Sequence, residues 1–239
     1  MNADRLIVAL DTPHPAQARR LFEALSPLGV TFKMGYEALF NFNREAFEIM
    51  ATPGARFFLD GKLHDIPRTV EAAVHALVRP GVTMLTVHAQ GGNDMMRSAV
   101  EAANERAQAL GIATPAIFAV TILTSIAPED LGDIGISGGP GEAVTRLAAL
   151  ARDAGCAGVV CSANEVADLK SFFGSDFQTV CPGIRPAGAA HGDQKRIATP
   201  ASALAAGADY LVVGRPITEA GDPLSAARAI LAEMEHALV

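Results

Sequence analysis

A lysine lies between two carboxylates in the segment Asp60-Gly61-Lys62-Leu63-His64-Asp65, directly after the apolar run Arg56-Phe57-Phe58-Leu59. In an extended chain, alternation with period two places Asp60 and Lys62 on one face, and Asp65 follows in the turn beyond. Opposite charges on both sides favour the ammonium form of the lysine. Such a lysine can stabilise developing negative charge and deliver a proton. The competing interpretation is a solvated acidic loop that contains a lysine by chance.

Composition narrows the classes of function that fit the chain. The 239 residues are 50% hydrophobic and carry a formal net charge of −7, which argues against a general nucleic-acid or membrane-surface role. The N-terminal segment lacks the features of a signal peptide, and we find no apolar stretch that could span a membrane, so we expect a cytoplasmic protein. The odd number of cysteines, without metal-ligand spacing, predicts reduced packing residues.

The chemistry-bearing residues must be positioned by a regular alternation of short apolar runs and amphipathic stretches. The runs predict eight strands: Leu6–Leu10, Thr31–Met34, Phe57–Leu59, Met84–Val87, Ala116–Val120, Gly158–Cys161, Phe177–Cys181 and Tyr210–Val213. Predicted helices include Pro15–Leu25, Thr69–Val78, Asp94–Leu110 and Pro223–Ala237. Eight strands close a parallel barrel, so we predict an α/β fold, a (β/α)8 TIM barrel, as a single catalytic domain over residues 1–239. The alternative, an open doubly wound sheet, lacks its glycine fingerprint, because Asp11-Thr12-Pro13 follows the first strand.

The predicted strand ends are polar, and in a parallel barrel the active site is built at the carboxyl ends. In order they are Asp11, Lys33, Asp60 with Lys62, His88, Thr121 leading to Thr124, Ser162, Pro182-Gly183-Ile184-Arg185, and Gly214-Arg215. Gly214 lets the backbone approach an anion and Arg215 supplies charged donors, so this last end predicts a phosphate site rather than a turn with a surface arginine. The long segment from Pro182 through Gln194 and Lys195 is typical of an active-site lid.

The central segment reads Asp60-x-Lys62-x-x-Asp65-Ile66-Pro67, followed by Thr69. Around it stand, in order, Leu10-Asp11, Phe32-Lys33, Thr86-Val87-His88, Leu123-Thr124-Ser125, Pro182-Gly183-Ile184-Arg185, Gln194 and Val213-Gly214-Arg215. With these residues the chain closely resembles the orotidine 5′-phosphate decarboxylase family over essentially its whole length. It departs from the family pattern at Gly61, where a bulkier apolar residue is usual, and at Arg68, where Asn is common.

The resemblance implies decarboxylation of orotidine 5′-phosphate to uridine 5′-phosphate (UMP), the last step of de novo pyrimidine nucleotide biosynthesis, without metal or organic cofactor. Lys62 would be the proton donor and, with Asp60 and Asp65, would form the catalytic set. The family's substrate contacts correspond to Asp11, Lys33, Asp60, Thr69, Thr124, Arg185, Gln194, Gly214 and Arg215. A homodimer is implied, in which Asp65 and Thr69 complete the neighbouring site.

Two other functions remain open. A hexulose-phosphate synthase has a similar Asp-x-Lys-x-x-Asp segment but uses a magnesium-stabilised enediolate, with an acid at the end of strand two where this chain has Lys33. A catalytically silent phosphonucleotide-binding barrel would gain nothing from Asp60 and Asp65 beside an anionic base. We interpret His88 as a packing residue, and His64 lacks the ligand set of a transition-metal site.

Overall fold

Eight parallel strands close into a barrel in which each strand pairs with the next and the eighth pairs with the first. The structure, a computed structural model, describes residues 3–42, 44–186 and 196–237. The strands are β1 Leu6–Ala9, β2 Thr31–Met34, β3 Phe57–Leu63, β4 Val82–His88, β5 Ala116–Val120, β6 Gly158–Val160, β7 Gln178–Cys181 and β8 Tyr210–Val213. The predicted TIM barrel is confirmed, whereas its extent as one domain over residues 1–239 stays a prediction.

Helices cover the outside of the barrel and connect successive strands. They are α1 Pro15–Leu25, α2 Tyr36–Asn41, α3 Arg44–Met50, α4 Pro67–Leu77, α5 Gly92–Leu110, α6 Pro140–Asp153, α7 Ala163–Phe173, α8 Pro200–Ala205, α9 Arg215–Thr218 and α10 Pro223–His236. The ring of Phe22 on α1 lies 5.0 Å from the Phe32 ring and 5.6 Å from the Phe57 ring, measured between centroids. Burial of each of these rings stabilises the barrel by roughly 2–3 kcal/mol and holds α1 against β2 and β3.

Strand alternation divides the core into an outer layer and a barrel interior. On β1, Leu6 and Val8 pack outward among the helices, while Ile7 and Ala9 point inward. The interior is filled by Ile7, Ala9, Phe58, Met84, Phe118, Val180 and Val212. Because side chains alternate, the inward positions two residues further along several strands lie at the carboxyl mouth of the barrel. Asp11, Asp60 and Thr86 occupy such positions.

The predicted end of the third strand was wrong. Strand β3 continues past Leu59 to Leu63, so Asp60 and Lys62 lie within it and not in a loop after it. The pairing with β4 is irregular between Leu59 and Leu63 and resumes at Leu63 opposite Val87. The strand therefore extends through the charged residues that the sequence pattern places after its end.

The remaining predicted boundaries differ from the observed ones by at most two residues. Helix α4 begins at Pro67, two residues before the predicted Thr69, because proline is favoured in the first helical turn. Cys156, Cys161 and Cys181 are all buried and unpaired, as expected of packing residues. In the part of the chain that the structure describes, no helix is both long and apolar enough to cross a membrane.

Candidate active site

A cavity of about 500 Å³ opens at the carboxyl ends of the strands. Its floor is the last layer of the barrel interior and includes Ala9, Phe58, Val120, Val160 and Val212. Above this floor the lining becomes polar and contains Asp11, Lys33, Asp60, Lys62, Thr124, Arg185, Gly214 and Arg215. Eight of the residues that the sequence assigned to the site therefore surround one space.

Four charged side chains form a continuous row across one wall of the cavity. The Lys33 ammonium donates to both oxygens of Asp11, at 2.9 and 3.1 Å, and lies 3.7 Å from Asp60 Oδ2. That same Asp60 oxygen accepts a hydrogen bond from Lys62 Nζ at 2.6 Å. The order is thus carboxylate, ammonium, carboxylate, ammonium, with Asp60 between the two lysines. Each charge in the row has a neighbour of opposite sign.

Lys33 and Asp60 are the most buried members of this row, since their side chains are only 10% and 12% exposed. Burial alone would raise the pKa of its carboxyl group. The ammonium groups of Lys33 and Lys62, with hydrogen bonds from Lys62 and Thr86, outweigh that effect and hold the pKa of Asp60 below its usual value. Asp60 is therefore ionised at neutral pH and keeps a negative charge in the cavity.

The backbone of Lys62 adopts a left-handed conformation, with φ of +43°. In the described residues it is the only non-glycine residue with positive φ. This conformation differs from the extended one that we predicted, although the predicted proximity of Asp60 and Lys62 is observed. Unfavourable backbone conformations of this kind cost about 1–3 kcal/mol and persist where neighbouring structure fixes them, often at functional sites.

Two of the neighbours that fix Lys62 are Thr86 and Tyr36. The backbone amide of Lys62 donates to Thr86 Oγ1 at 2.9 Å, and its ammonium lies 5.6 Å from the centre of the Tyr36 ring. Burial and the negative charge of Asp60 raise the pKa of Tyr36, so its ring stays neutral beside the lysine. Sequence analysis gave neither residue a role. The available signal for Thr86 was a polar side chain at an inward position of a barrel strand.

The side of the cavity formed by the ends of β7 and β8 carries the residues for which the sequence predicts a phosphate site. Gly183, Arg185, Gly214 and Arg215 line it, and Gly214 is the N-cap residue of α9. The guanidinium of Arg185 is buried and donates to the carbonyl of Ile184 at 2.9 Å. Gln194, which the sequence assigned to the substrate, lies outside the described residues, as do residues 187–195 of the predicted lid.

Asp65 and Thr69 do not line the cavity, and both are exposed on the protein surface. The Asp65 carboxylate accepts a hydrogen bond from the backbone amide of Ile66 at 2.7 Å. Ile66, Tyr36 and Phe40 are exposed apolar side chains, and the Tyr36 and Phe40 rings stack with centroids 5.9 Å apart. The structure thus leaves two of the predicted site residues exposed and outside the cavity lining.

Two histidines lie against the charged row without joining it. The rings of His64 and His88 are 5.5 Å apart, and His88 Nδ1 is buried without a hydrogen-bond partner. Burial, with the nearby His64 and Lys62, lowers the pKa of His88, so its imidazole is neutral at pH 7. Among the residues that the structure describes, no cluster of three or more His, Cys, Asp or Glu side chains could hold a metal ion.

Comparison with known proteins agrees with this geometry. Residues 4–230 match the model of the orotidine 5′-phosphate decarboxylase / HUMPS family. The orotidine 5′-phosphate decarboxylase of Moorella thermoacetica is 49% identical over 233 residues, 97% of this chain and 92% of that protein. That of Paramagnetospirillum magneticum is 48% identical over 95% of this chain and 97% of its own. The crystal structure of the Lactobacillus acidophilus orotidine 5′-phosphate decarboxylase superposes with a TM-score of 0.82 and 37% identity, covering 96% of this chain and 98% of that one.

Proposed function

Because the chain belongs to the orotidine 5′-phosphate decarboxylase / HUMPS family, we propose that it converts orotidine 5′-phosphate to UMP and carbon dioxide, the last step of de novo pyrimidine nucleotide biosynthesis. The observation that carries this proposal is the row Asp11, Lys33, Asp60 and Lys62 in one cavity. It combines an ammonium that can supply a proton with a fixed carboxylate that can oppose a second negative charge.

Lys62 is the proposed acid. Loss of carbon dioxide leaves an electron pair at C6 of the pyrimidine, and a positive charge placed there stabilises it. The Lys62 ammonium is restrained by Asp60 on one side and by the Tyr36 ring on the other, so it is oriented before the substrate arrives. The lysine then transfers its proton to C6, which completes the uracil ring of UMP.

Asp60 is the proposed source of ground-state repulsion. With its pKa held low, it presents a negative charge that would face the carboxylate of the substrate. At about 4 Å and an effective dielectric constant of about 20, two such charges repel by roughly 4 kcal/mol. This repulsion disappears as neutral carbon dioxide departs, which lowers the barrier by up to about three decades in rate.

The remaining cavity residues bind the parts of the substrate that do not react. Asp11, Lys33 and Thr124 line the cavity, and we assign the first two to the ribose hydroxyls and Thr124 to the pyrimidine. Arg185, Gly214 and Arg215, with Gln194, are the proposed phosphate contacts. Binding energy from this remote phosphate offsets the cost of bringing the substrate carboxylate near Asp60.

The metal-dependent alternative of the same family is disfavoured by Lys33. Its ammonium lies 3.7 Å from Asp60 and donates a hydrogen bond to Asp11. The ammonium therefore puts a positive charge at the position where a magnesium ion would need carboxylate oxygens. A cation already at this position opposes the binding of a second one.

We further propose that the protein works in the cytoplasm as a homodimer. We take as the interface the surface that carries the exposed residues Asp65, Ile66 and Thr69 and the exposed rings of Tyr36 and Phe40, and the Tyr36 ring lies 5.6 Å from Lys62 Nζ in the cavity. Covering this surface with a second copy would bury the apolar groups and bring Asp65 and Thr69 toward the neighbouring cavity. If so, Ile66→Asp should convert the protein to a monomer and reduce activity together with dimer content in sedimentation experiments. Full activity of a proven monomer would refute the dimer proposal.

The decisive experiment follows the absorbance of orotidine 5′-phosphate after addition of chelator-treated protein, beside Lys62→Ala. Turnover that survives the chelator and is lost in Lys62→Ala would support a metal-free decarboxylase with Lys62 as its acid. No turnover by the wild type, or turnover only with added magnesium, would exclude the proposed function.

A further inference from the structure

Arg196 and Glu165 form a buried ion pair close to the cavity. The proposed reaction does not use this pair. Arg196 Nη1 binds Glu165 Oε1, and the two side chains are only 12% and 9% exposed. The other oxygen, Glu165 Oε2, accepts a hydrogen bond from the backbone amide of Ser162 at 2.7 Å, which completes the N-terminal cap of α7. One carboxylate thus anchors a helix start and an arginine together.

Arg196 also holds the segment that follows β5. Its Nη2 donates to the carbonyl of Ile122 at 3.1 Å and to that of Leu123 at 3.4 Å. Ile122, Leu123, Thr124 and Ser125 line the cavity, on the side where the pyrimidine is proposed to bind. The arginine therefore contacts the backbone that carries Thr124, and not Thr124 itself.

The backbone next to Arg196 is also fixed, by pairing with the residues after β7. Two residues further on, Ala198 forms a bridge with Ile184, and the Arg185 amide donates to the Ala198 carbonyl at 2.9 Å. This places Arg196 beside the end of β7, from which Gly183 and Arg185 reach the cavity. The Arg196 side chain therefore joins the segment after β5 to the start of α7, while the backbone two residues further on joins the same stretch of chain to the end of β7.

Breaking this pair is costly because both charges are buried. Burial raises the pKa of Glu165 even though Arg196 and the Ser162 amide favour its ionised form. Loss of Arg196 would leave a buried carboxylate without its main partner and two carbonyls without their donor. We expect the segment after β5 to move when these contacts are lost, and this segment forms one wall of the cavity.

We propose that Arg196, held by Glu165, is a positioning residue that fixes the Leu123–Ser125 wall for the pyrimidine ring of the nucleotide. This inference rests on the proposed function. It gives the pair a role in recognising the base, separate from the groups that bind ribose and phosphate. A specific consequence is that loss of the pair should weaken binding of UMP more than binding of ribose 5-phosphate, which has no pyrimidine.

The test measures the affinities of both ligands by titration calorimetry for the wild type, Arg196→Lys, Arg196→Met and Glu165→Gln. We expect the Kd of UMP to rise about tenfold or more in the three variants, and that of ribose 5-phosphate to change less than about twofold. Arg196→Lys and Glu165→Gln retain more of the local contacts, so they carry the test if Arg196→Met does not fold.

The matched control is Lys170→Met. Lys170 Nζ lies 2.7 Å from Asp209 Oδ2, in a partly buried pair between the end of α7 and the residue that precedes β8. This pair lies at the opposite end of the barrel from the cavity. Its loss should lower the midpoint of thermal unfolding and leave the ratio of the two affinities unchanged.

The possible outcomes separate this inference from the proposed function. Equal weakening of both ligands, an unchanged UMP affinity, or the same selective loss in Lys170→Met would overturn the positioning role while wild-type turnover stands. A wild-type protein that neither turns over orotidine 5′-phosphate nor binds UMP would overturn the proposed function and the inference with it.

Discussion

The hydroxyl group of Thr86 accepts a hydrogen bond from the backbone amide of Lys62 at 2.9 Å. The same hydroxyl donates to Asp60 Oδ1 at 3.1 Å. Thr86 lies on β4, so the neighbouring strand holds both the left-handed backbone of Lys62 and the carboxylate that binds its ammonium. The geometry of the proposed acid is therefore set by one fully buried side chain.

Replacement of Thr86 tests this arrangement. Thr86→Val keeps the shape of the side chain but leaves the Lys62 amide and one Asp60 oxygen without their partner. We expect a loss of about 2 kcal/mol in the free energy of unfolding and a roughly ten- to hundredfold lower kcat/KM. Thr86→Ser retains the hydroxyl and should stay close to the wild type. Similar kinetics for the valine and serine variants would show that the hydroxyl does not position Lys62.

Asp60 should make stability depend on pH in the acid range. Its folded-state pKa is depressed, so its stabilising contribution is fully present above the unfolded value of about 3.9 and is lost as pH falls through the folded value. At pH 7 we expect Asp60→Asn to lower the free energy of unfolding by about 3 kcal/mol, because two lysines lose their shared partner.

Urea denaturation of both proteins between pH 3 and pH 7 measures this dependence. The difference in unfolding free energy between the wild type and Asp60→Asn should be constant from pH 6 upward and should shrink below about pH 4. A difference that grows on acidification would mean that the carboxyl group is protonated in the folded protein, against the direction given by its two ammonium neighbours.

The barrel was largely predictable because its signal is local. Apolar runs such as Thr31–Met34 and Ala116–Val120 are found at the predicted positions. The end of β3 was not predictable in the same way, because residues 60–62 are polar or small and the pairing with β4 resumes only at Leu63. A single-sequence pattern contains no information on that partner strand.

The site was predictable where strand ends carried charge, and less so where a contact depends on tertiary packing. Asp11, Lys33 and Arg215 follow from the rule that barrel sites form at the carboxyl ends of strands. The Arg196–Glu165 pair joins residues 31 positions apart, and sequence could indicate only half of it, through the helix-capping pattern Ser162-x-x-Glu165. The left-handed φ of Lys62 has no sequence signal, since it is imposed by Thr86 and the β3–β4 irregularity.

Replacement by alanine should have different effects at two glycines near the charged row, Gly35 and Gly61. A Cβ on Gly35 would lie 3.0 Å from Lys33 Nζ and 3.2 Å from Asp11 Oδ1, whereas on Gly61 its nearest neighbour would be Leu63 Cδ2 at 3.7 Å. We expect Gly35→Ala to displace the Asp11–Lys33 pair and to lower kcat/KM about tenfold. Gly61→Ala should instead stabilise the fold by roughly 0.5–1 kcal/mol, because it restricts the unfolded chain.

Steady-state kinetics and thermal unfolding of both alanine variants provide the comparison. A Gly35→Ala protein with unchanged kcat/KM would show that the Asp11–Lys33 pair tolerates displacement. A destabilised Gly61→Ala protein would show that this glycine, one of the departures from the family pattern, is needed by the β3 backbone.

His88 should lower the stability of the protein in mildly acidic solution. Burial, His64 and Lys62 lower its folded-state pKa, and the opposing effect of Asp60 is smaller. Between that folded value and the unfolded value of about 6.5, the unfolded chain binds more protons than the native one, so stability falls as pH decreases. Replacing His88 by the neutral Gln removes this proton uptake. We therefore expect the unfolding free energy of His88→Gln to fall less than that of the wild type between pH 7.5 and pH 5.5. Urea denaturation measures this difference. His236→Gln, at the end of α10, is the control for the loss of a histidine. Equal losses in the wild type and His88→Gln would mean that burial and the neighbouring groups do not lower the pKa of His88 in the folded protein.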